Sequence, residues 1–244
     1  MCGVTFVNQR IWAGNLAATN QYPWLAFVRT VYNLGSGTII HPRWLLTACH
    51  LVLYCNTNEV LVIYGTTDLN NLRNVQQPTE LICHEDWGGT FTYNNDLALI
   101  KVGKEFVFNP TIMQICIPSL NLKFSTIMEV AGWGQTEATN LSMQLRYTTI
   151  QVRSKNHCEK WWRGVYEAKT KICAGMETGV CHGDLGSSLI SRKFGVYFLE
   201  GIFSVTHTKC GLPALPAIFT KVRHYLSWIK SKMKDDTFCQ PLEP

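Results

Sequence analysis

The chain has 244 residues, 46% hydrophobic and 16% charged, with a net charge of +5. That balance is globular, suits one large domain or two small ones, and gives no clustered basic surface for nucleic acid. The densest basic run, Lys230 to Lys234, reads as the solvated face of a helix. No apolar run approaches the roughly 18 residues of a membrane span. Ten cysteines spread over the whole length, with no C-x-x-C pair, argue for disulfides and a secretory compartment rather than zinc, and no cofactor is expected. Residues 1–20 lack a basic stretch followed by an apolar one, so no signal peptide is read there. This conflicts with the cysteines unless the sequence is a mature or trimmed form.

In chain order, Cys2-Gly3-Val4 opens a short segment that ends in Asn8-Gln9-Arg10, followed by Ile11-Trp12-Ala13-Gly14. Trp24 to Val28 is an apolar strand, Gly35-Ser36-Gly37 a turn, and Thr38 to Ile40 and Trp44 to Thr47 further strands. Val60 to Gly65, Leu81 to Glu85 and Asn95 to Ile100 continue the β pattern. Cys116-Ile117-Pro118 ends the first half, residues 119–127 cross over, and Val130-Ala131-Gly132-Trp133-Gly134 begins the second. Asn140-Leu141-Ser142 is a glycosylation sequon. Val222 to Ile229 places apolar residues at i, i+3, i+4 and i+7, the stripe of an amphipathic helix. Cys49 and Cys55 flank His50; a local bridge, free buried thiols, or a reactive or metal-binding group all fit that spacing.

Gly183-Asp184-Leu185-Gly186 is by itself only a common turn composition. Joined to Leu46-Thr47-Ala48-Cys49-His50 and Asn95-Asp96-Leu97-Ala98-Leu99-Ile100, it resembles the trypsin/chymotrypsin-like serine peptidases, from Arg10 to about Lys234. The resemblance implies an all-β fold of two six-stranded antiparallel β-barrels side by side with a C-terminal α-helix. Barrel one would cover about 25–118, barrel two about 128–221 and the helix about 222–233. Residues 1–10 would form an activation-type segment, 11–234 the peptidase-like domain and 235–244 a tail. His50 and Asp96 would take the base and orienting positions of the triad, and Gly183 and Leu185 those of the oxyanion turn. Cleavage after Arg10 would free the Ile11 amine to pair with Asp184, although Trp12 and Ala13 depart from the usual Ile-Val-Gly-Gly. Bridges Cys2–Cys116, Cys158–Cys173 and Cys181–Cys210 are implied. Two others are missing at both ends, Gly35 with Leu51 and Met128 with Ser191. Cys83 and Cys239 are left over and free to pair, though no spacing requires it.

In the family the third residue of the Gly-Asp-x-Gly turn is the nucleophilic serine; here it is Leu185, which has no hydroxyl. Ser187 and Ser188 are nearby, but the turn should point them away from His50. The pocket positions have also drifted. Gly179 stands at the base with no carboxylate, the Ser-Trp-Gly strand is Ser204-Val205-Thr206, and Ala217 replaces a glycine opposite. The expectation is a peptidase homologue without peptidase activity, secreted or held in secretory granules. It would bind a protein or peptide partner or modulate an active peptidase, with His50 and Asp96 kept as a buried, satisfied pair. The alternative is a secreted endopeptidase with an unorthodox nucleophile.

Overall fold

The computed structural model describes residues 1–5, 15–120, 122, 125–136, 139–175, 180–181, 183–206, 216–234 and 236–239. Their strands are β1 (Asn15–Leu16), β2 (Leu25–Thr30), β3 (Leu34–His41), β4 (Trp44–Thr47), β5 (Val60–Tyr64), β6 (Asn74–Gln76) and β7 (Pro78–Cys83). These are followed by β8 (Ala98–Val102), β9 (Ile127–Gly132), β10 (Arg146–Gln151), β11 (Lys171–Ala174), β12 (Ser188–Lys193), β13 (Val196–Val205) and β14 (Ala217–Lys221). The α-helices are α1 (Cys49–Val52), α2 (Gly89–Thr92), α3 (Lys155–Trp161) and α4 (Leu226–Met233).

Among the described residues the strands form two curled antiparallel sheets of seven, ordered β6-β5-β2-β3-β4-β8-β7 and β1-β10-β9-β12-β13-β14-β11. The all-β expectation of two side-by-side units holds. The seventh strands exceed the expected six because each sheet gains a strand of two or three residues, β1 and β6, too short to give a hydrophobic alternation. β1 precedes the first sheet in sequence yet pairs with β10 of the second, so the chain enters through the second sheet.

Three tryptophans, Trp24, Trp44 and Trp133, are fully buried. Trp133 meets Phe27 edge-on at 5.8 Å, which joins the two halves through an aromatic contact. The expected C-terminal helix begins as a 3-10 turn over Val222–Tyr225 and becomes α-helical only from Leu226. Its buried stripe, Val222, Tyr225, Ile229 and Met233, packs into the main core cluster, which includes the whole interior of the first sheet.

The bridges Cys2–Cys116 and Cys158–Cys173 are present. Cys181 is disulfide-bonded; its expected partner Cys210 lies outside the described residues. Cys49 pairs with Cys83, 34 residues on, rather than with Cys55 as a local bridge would require, and this leaves Cys239 without Cys83. Cys55 and Cys239 are thiols. The absent Gly35–Leu51 bridge has a packing replacement: a Cβ on Gly35 would lie 2.7 Å from Leu51 Cδ2. The leucine side chain occupies the space that a cystine would need.

Candidate functional site

The end of β4 turns at Ala48 into the single-turn helix α1, which carries His50. Asp96 arrives just before β8 and is completely buried. Its Oδ1 accepts the His50 backbone N–H at 3.0 Å and its Oδ2 accepts His50 Nδ1–H at 2.7 Å. Ser204 Oγ, on β13, donates to the same Oδ2 at 2.6 Å, and Thr220 Oγ1 donates to the Asp96 carbonyl at 2.8 Å. A carboxylate surrounded by donors requires that Nδ1 carry the proton, which leaves Nε2 as an acceptor.

Two aromatic rings hold the imidazole from the sides. Trp87 stacks on it at 5.9 Å with planes 10° apart, and Tyr93 meets it edge-on at 5.6 Å. Tyr93 sits at φ +50 after α2. Its loop is fastened to the second sheet by Lys171 Nζ, which donates to Thr92 O at 2.6 Å, Asn94 Oδ1 at 2.7 Å and Val165 O at 2.5 Å. Burial brings the Lys171 ammonium down to about 8. Sequence reasoning missed Trp87, Tyr93 and Lys171. A Tyr two residues before the Asn-Asp string was the only local cue.

The facing turn depends on glycine. Gly183 has φ +90 and Gly186 φ +79; a Cβ on Gly186 would lie 2.2 Å from Thr47 Oγ1 and 2.3 Å from Ser36 O, so no other residue fits. Ser36 N–H donates to Leu185 O at 2.7 Å and Gly186 N–H to Phe203 O at 3.0 Å, tying the turn to both sheets. The N–H groups of Gly183 and Leu185 make no backbone bond among the described residues. The Leu185 side chain is half-buried and packs against the main core cluster. Ser187 and Ser188 are buried; Ser187 is engaged by its backbone, its N–H donating to Asp184 O and its carbonyl accepting from Phe203 N–H.

Gly183, Leu185, His50, Tyr93, Ser204, Val205 and Thr206 line one cleft of about 710 Å³, with the β2–β3 hairpin and Asn140 on its rim. Ala217 lies behind this wall, packed with Val180 and Phe203. Gly179, Arg10 and Ile11 lie outside the described residues.

Asp184 points away from the cleft. Its carboxylate accepts Gly134 N–H at 2.7 Å and Cys181 N–H at 3.0 Å, and a Cβ on Gly132 or Gly134 would lie 2.0 or 2.3 Å from its oxygens. Both glycines around Trp133 are therefore dictated by this one carboxylate. Burial pushes Asp184 up to about 6 from 3.8, against the pull of the two N–H donors. The folded carboxyl thus keeps its proton to about pH 6, whereas the unfolded one releases it near 3.8. The stability contributed by protonation is full below the unfolded value and is lost as pH rises through the folded one. At 1.36 kcal/mol per unit the loss is about 3 kcal/mol. Denaturant unfolding of the uncut chain at pH 4 and pH 7 will show this decline, and Asp184→Asn will flatten it. Equal pH dependence in both proteins would refute the assignment.

A family model described as Trypsin matches residues 11–229. CLIP domain-containing serine protease B4 of Anopheles gambiae is 29% identical over 262 residues, covering 95% of this chain and 72% of that protein. Melanization protease 1 of Drosophila melanogaster is 28% identical over 273 residues, covering 96% and 68%. The calcium-dependent serine proteinase of Mesocricetus auratus is 29% identical over 271 residues, covering 97% of this chain and 37% of its own length.

Proposed function

This chain belongs to the trypsin family, and within it we propose a member without peptidase activity that acts by binding a protein or peptide partner in its cleft. The observation that carries the reading is Leu185 on the glycine turn, opposite a His50–Asp96–Ser204 chain that is otherwise assembled. Hydrolysis by this mechanism needs a hydroxyl whose proton passes to His50 Nε2; a leucine side chain supplies neither proton nor nucleophile. Donors on Gly183 and Leu185, the Tyr93 ring and the open cleft remain as binding groups. Modulation of an active peptidase is one form this binding takes.

The rival reading, an endopeptidase with an unorthodox nucleophile, needs another hydroxyl at Nε2. Ser187 and Ser188 have 0% and 1% exposure, which counts against both. The disulfides favour an oxidising compartment, and we place the protein outside the cell or in secretory granules. No helix among the described residues is long and apolar enough to cross a membrane.

The reading is tested by selecting displayed random peptides on the protein cut after Arg10. Enriched peptides will be recovered intact, and Thr206→Trp, which fills the cleft, will weaken them at least about tenfold, a loss near 1.4 kcal/mol. Phe194→Ala, on the exposed β12–β13 turn, will leave them unchanged. Peptides recovered cleaved, or binding indifferent to Thr206→Trp, would sink it.

A further inference from the structure

The Cys2–Cys116 bridge closes a span of 114 residues and holds the N-terminal segment to the body. Few other contacts share that task. Gly3 N–H donates to Gln114 O at 2.9 Å, Gly3 O accepts Tyr197 N–H at 2.8 Å, and Thr5 Oγ1 donates to Asn20 O at 2.8 Å. The bridge sits in a small cluster of its own with Phe198, and the half-buried thiol of Cys239 packs against that cluster. A backbone bond from Ile117 N–H to Cys239 O, 3.2 Å, fixes Cys239 beside the residue next to Cys116. A reduced cysteine is thus placed at the small cluster that holds the disulfide, its backbone bonded next to Cys116.

We propose that Cys239 is an exchange thiol for the N-terminal tether, converting the Cys2–Cys116 bridge into Cys116–Cys239 and releasing Cys2. The Cys239 thiolate attacks Cys116 Sγ, the Cys116–Cys239 bond forms as the Cys2–Cys116 bond breaks, and the electron pair leaves on Cys2 Sγ. Cys2 takes up the proton that Cys239 gave to solvent. One disulfide is lost and one gained, so no oxidant or reductant is consumed. Partial burial keeps external thiols from competing, while the internal one is supplied at high effective concentration. After exchange, residues 1–5 lose their covalent tie to the body and keep non-covalent contacts, among them the three hydrogen bonds above and one from Gln114 Nε2 to Met1 O at 3.4 Å. Departure of the segment as a separate peptide rests further on cleavage after Arg10; the exchange itself does not.

The test uses the uncut full chain, incubated at pH 8 without reductant and sampled over hours, the range of uncatalysed disulfide rearrangement. Samples are quenched with acid, alkylated and mapped by mass spectrometry of non-reduced peptides. A Cys116–Cys239 peptide will accumulate with matching alkylation of Cys2, in the parent and in Cys55→Ser but not in Cys239→Ser. If Cys239 stays alkylatable and Cys2–Cys116 is the sole form throughout, the proposal fails. It also fails if Cys239 links instead to Cys55 or to a second chain. The parent time course decides the matter even should Cys239→Ser not fold. A second arm, on chain cut after Arg10, reads loss of the 1–10 peptide. Exchange without release would overturn the tether role while leaving the exchange in place.

Discussion

Cut after Arg10, the Leu185→Ser protein will react covalently with a fluorophosphonate probe, and the parent chain, cut in the same way, will not. The difference expected is of the order that separates triad enzymes from their serine-less variants, about 10⁶-fold. On the proposed reading, a serine at position 185 would draw on the following groups. His50 Nδ1 is bonded to Asp96 at 2.7 Å, so Nε2 is the acceptor. Ser204 supports Asp96 from behind, and Gly183 has a positive φ, with an N–H that makes no backbone bond among the described residues. A small probe does not depend on the pocket, so Val205 and Thr206 do not enter. Adding His50→Ala to Leu185→Ser will abolish labelling, which assigns the reaction to the triad rather than to a surface hydroxyl. If Leu185→Ser stays unlabelled, the cleft has changed beyond one side chain. Labelling of the parent would overturn the proposed function outright, and the tagged residue would identify the true nucleophile.

The fold was readable because its signals are local strings. Gly132-Trp133-Gly134 and Gly183-Asp184-Leu185-Gly186 are two unconnected strings in sequence, but one buried carboxylate explains the glycines of the first, since Asp184 leaves no room for a Cβ at 132 or 134. Gly186 is forced in the same way by Thr47 and Ser36. His50, Asp96 and Ser204 each sit in a short apolar string that marks a strand end, so their neighbourhood could be inferred from the resemblance. Trp87, Tyr93 and Lys171 had no such string. Their roles arise from a loop folding back over His50 and from a lysine 77 residues away from Asn94 reaching it across the two sheets, and neither follows from any periodicity. The Cys49–Cys83 bridge, at a separation of 34, was likewise invisible because cysteine spacing does not determine connectivity. The 3-10 start of the C-terminal helix escaped for a different reason: a hydrophobic stripe reports which face is buried, not how tightly the first turn is wound.

Arg223→Met will destabilise the protein by about 3–5 kcal/mol, the range for removing one partner of a buried ion pair. Glu200, on β13, is fully buried. Arg223 meets it with two bonds, Nε to Oε2 at 3.0 Å and Nη2 to Oε1 at 2.9 Å, and Ser191 Oγ donates to Oε1 at 2.7 Å. Arg223 Nη1 also donates to the carbonyls of Ser119 and Leu122, so the guanidinium joins the crossover between the two halves to the second sheet. Truncation would leave a carboxylate in the interior with a single hydroxyl for company. Pairing the change with Glu200→Gln removes that stranded charge, and Glu200→Gln/Arg223→Met will therefore recover most of the loss. Denaturant midpoints at constant m-value supply the measurement. A single-variant cost below about 1 kcal/mol, or a double variant no better than the single, would show that the pair is not what holds this region. Ser191 stands where the resemblance expects one end of a cystine, and its hydroxyl serves this carboxylate instead. The second sheet thus has a polar fastening on the same strand that runs on to Ser204, and loss of Arg223 is expected to loosen the Ser204–Asp96 bond along with the strand that carries it.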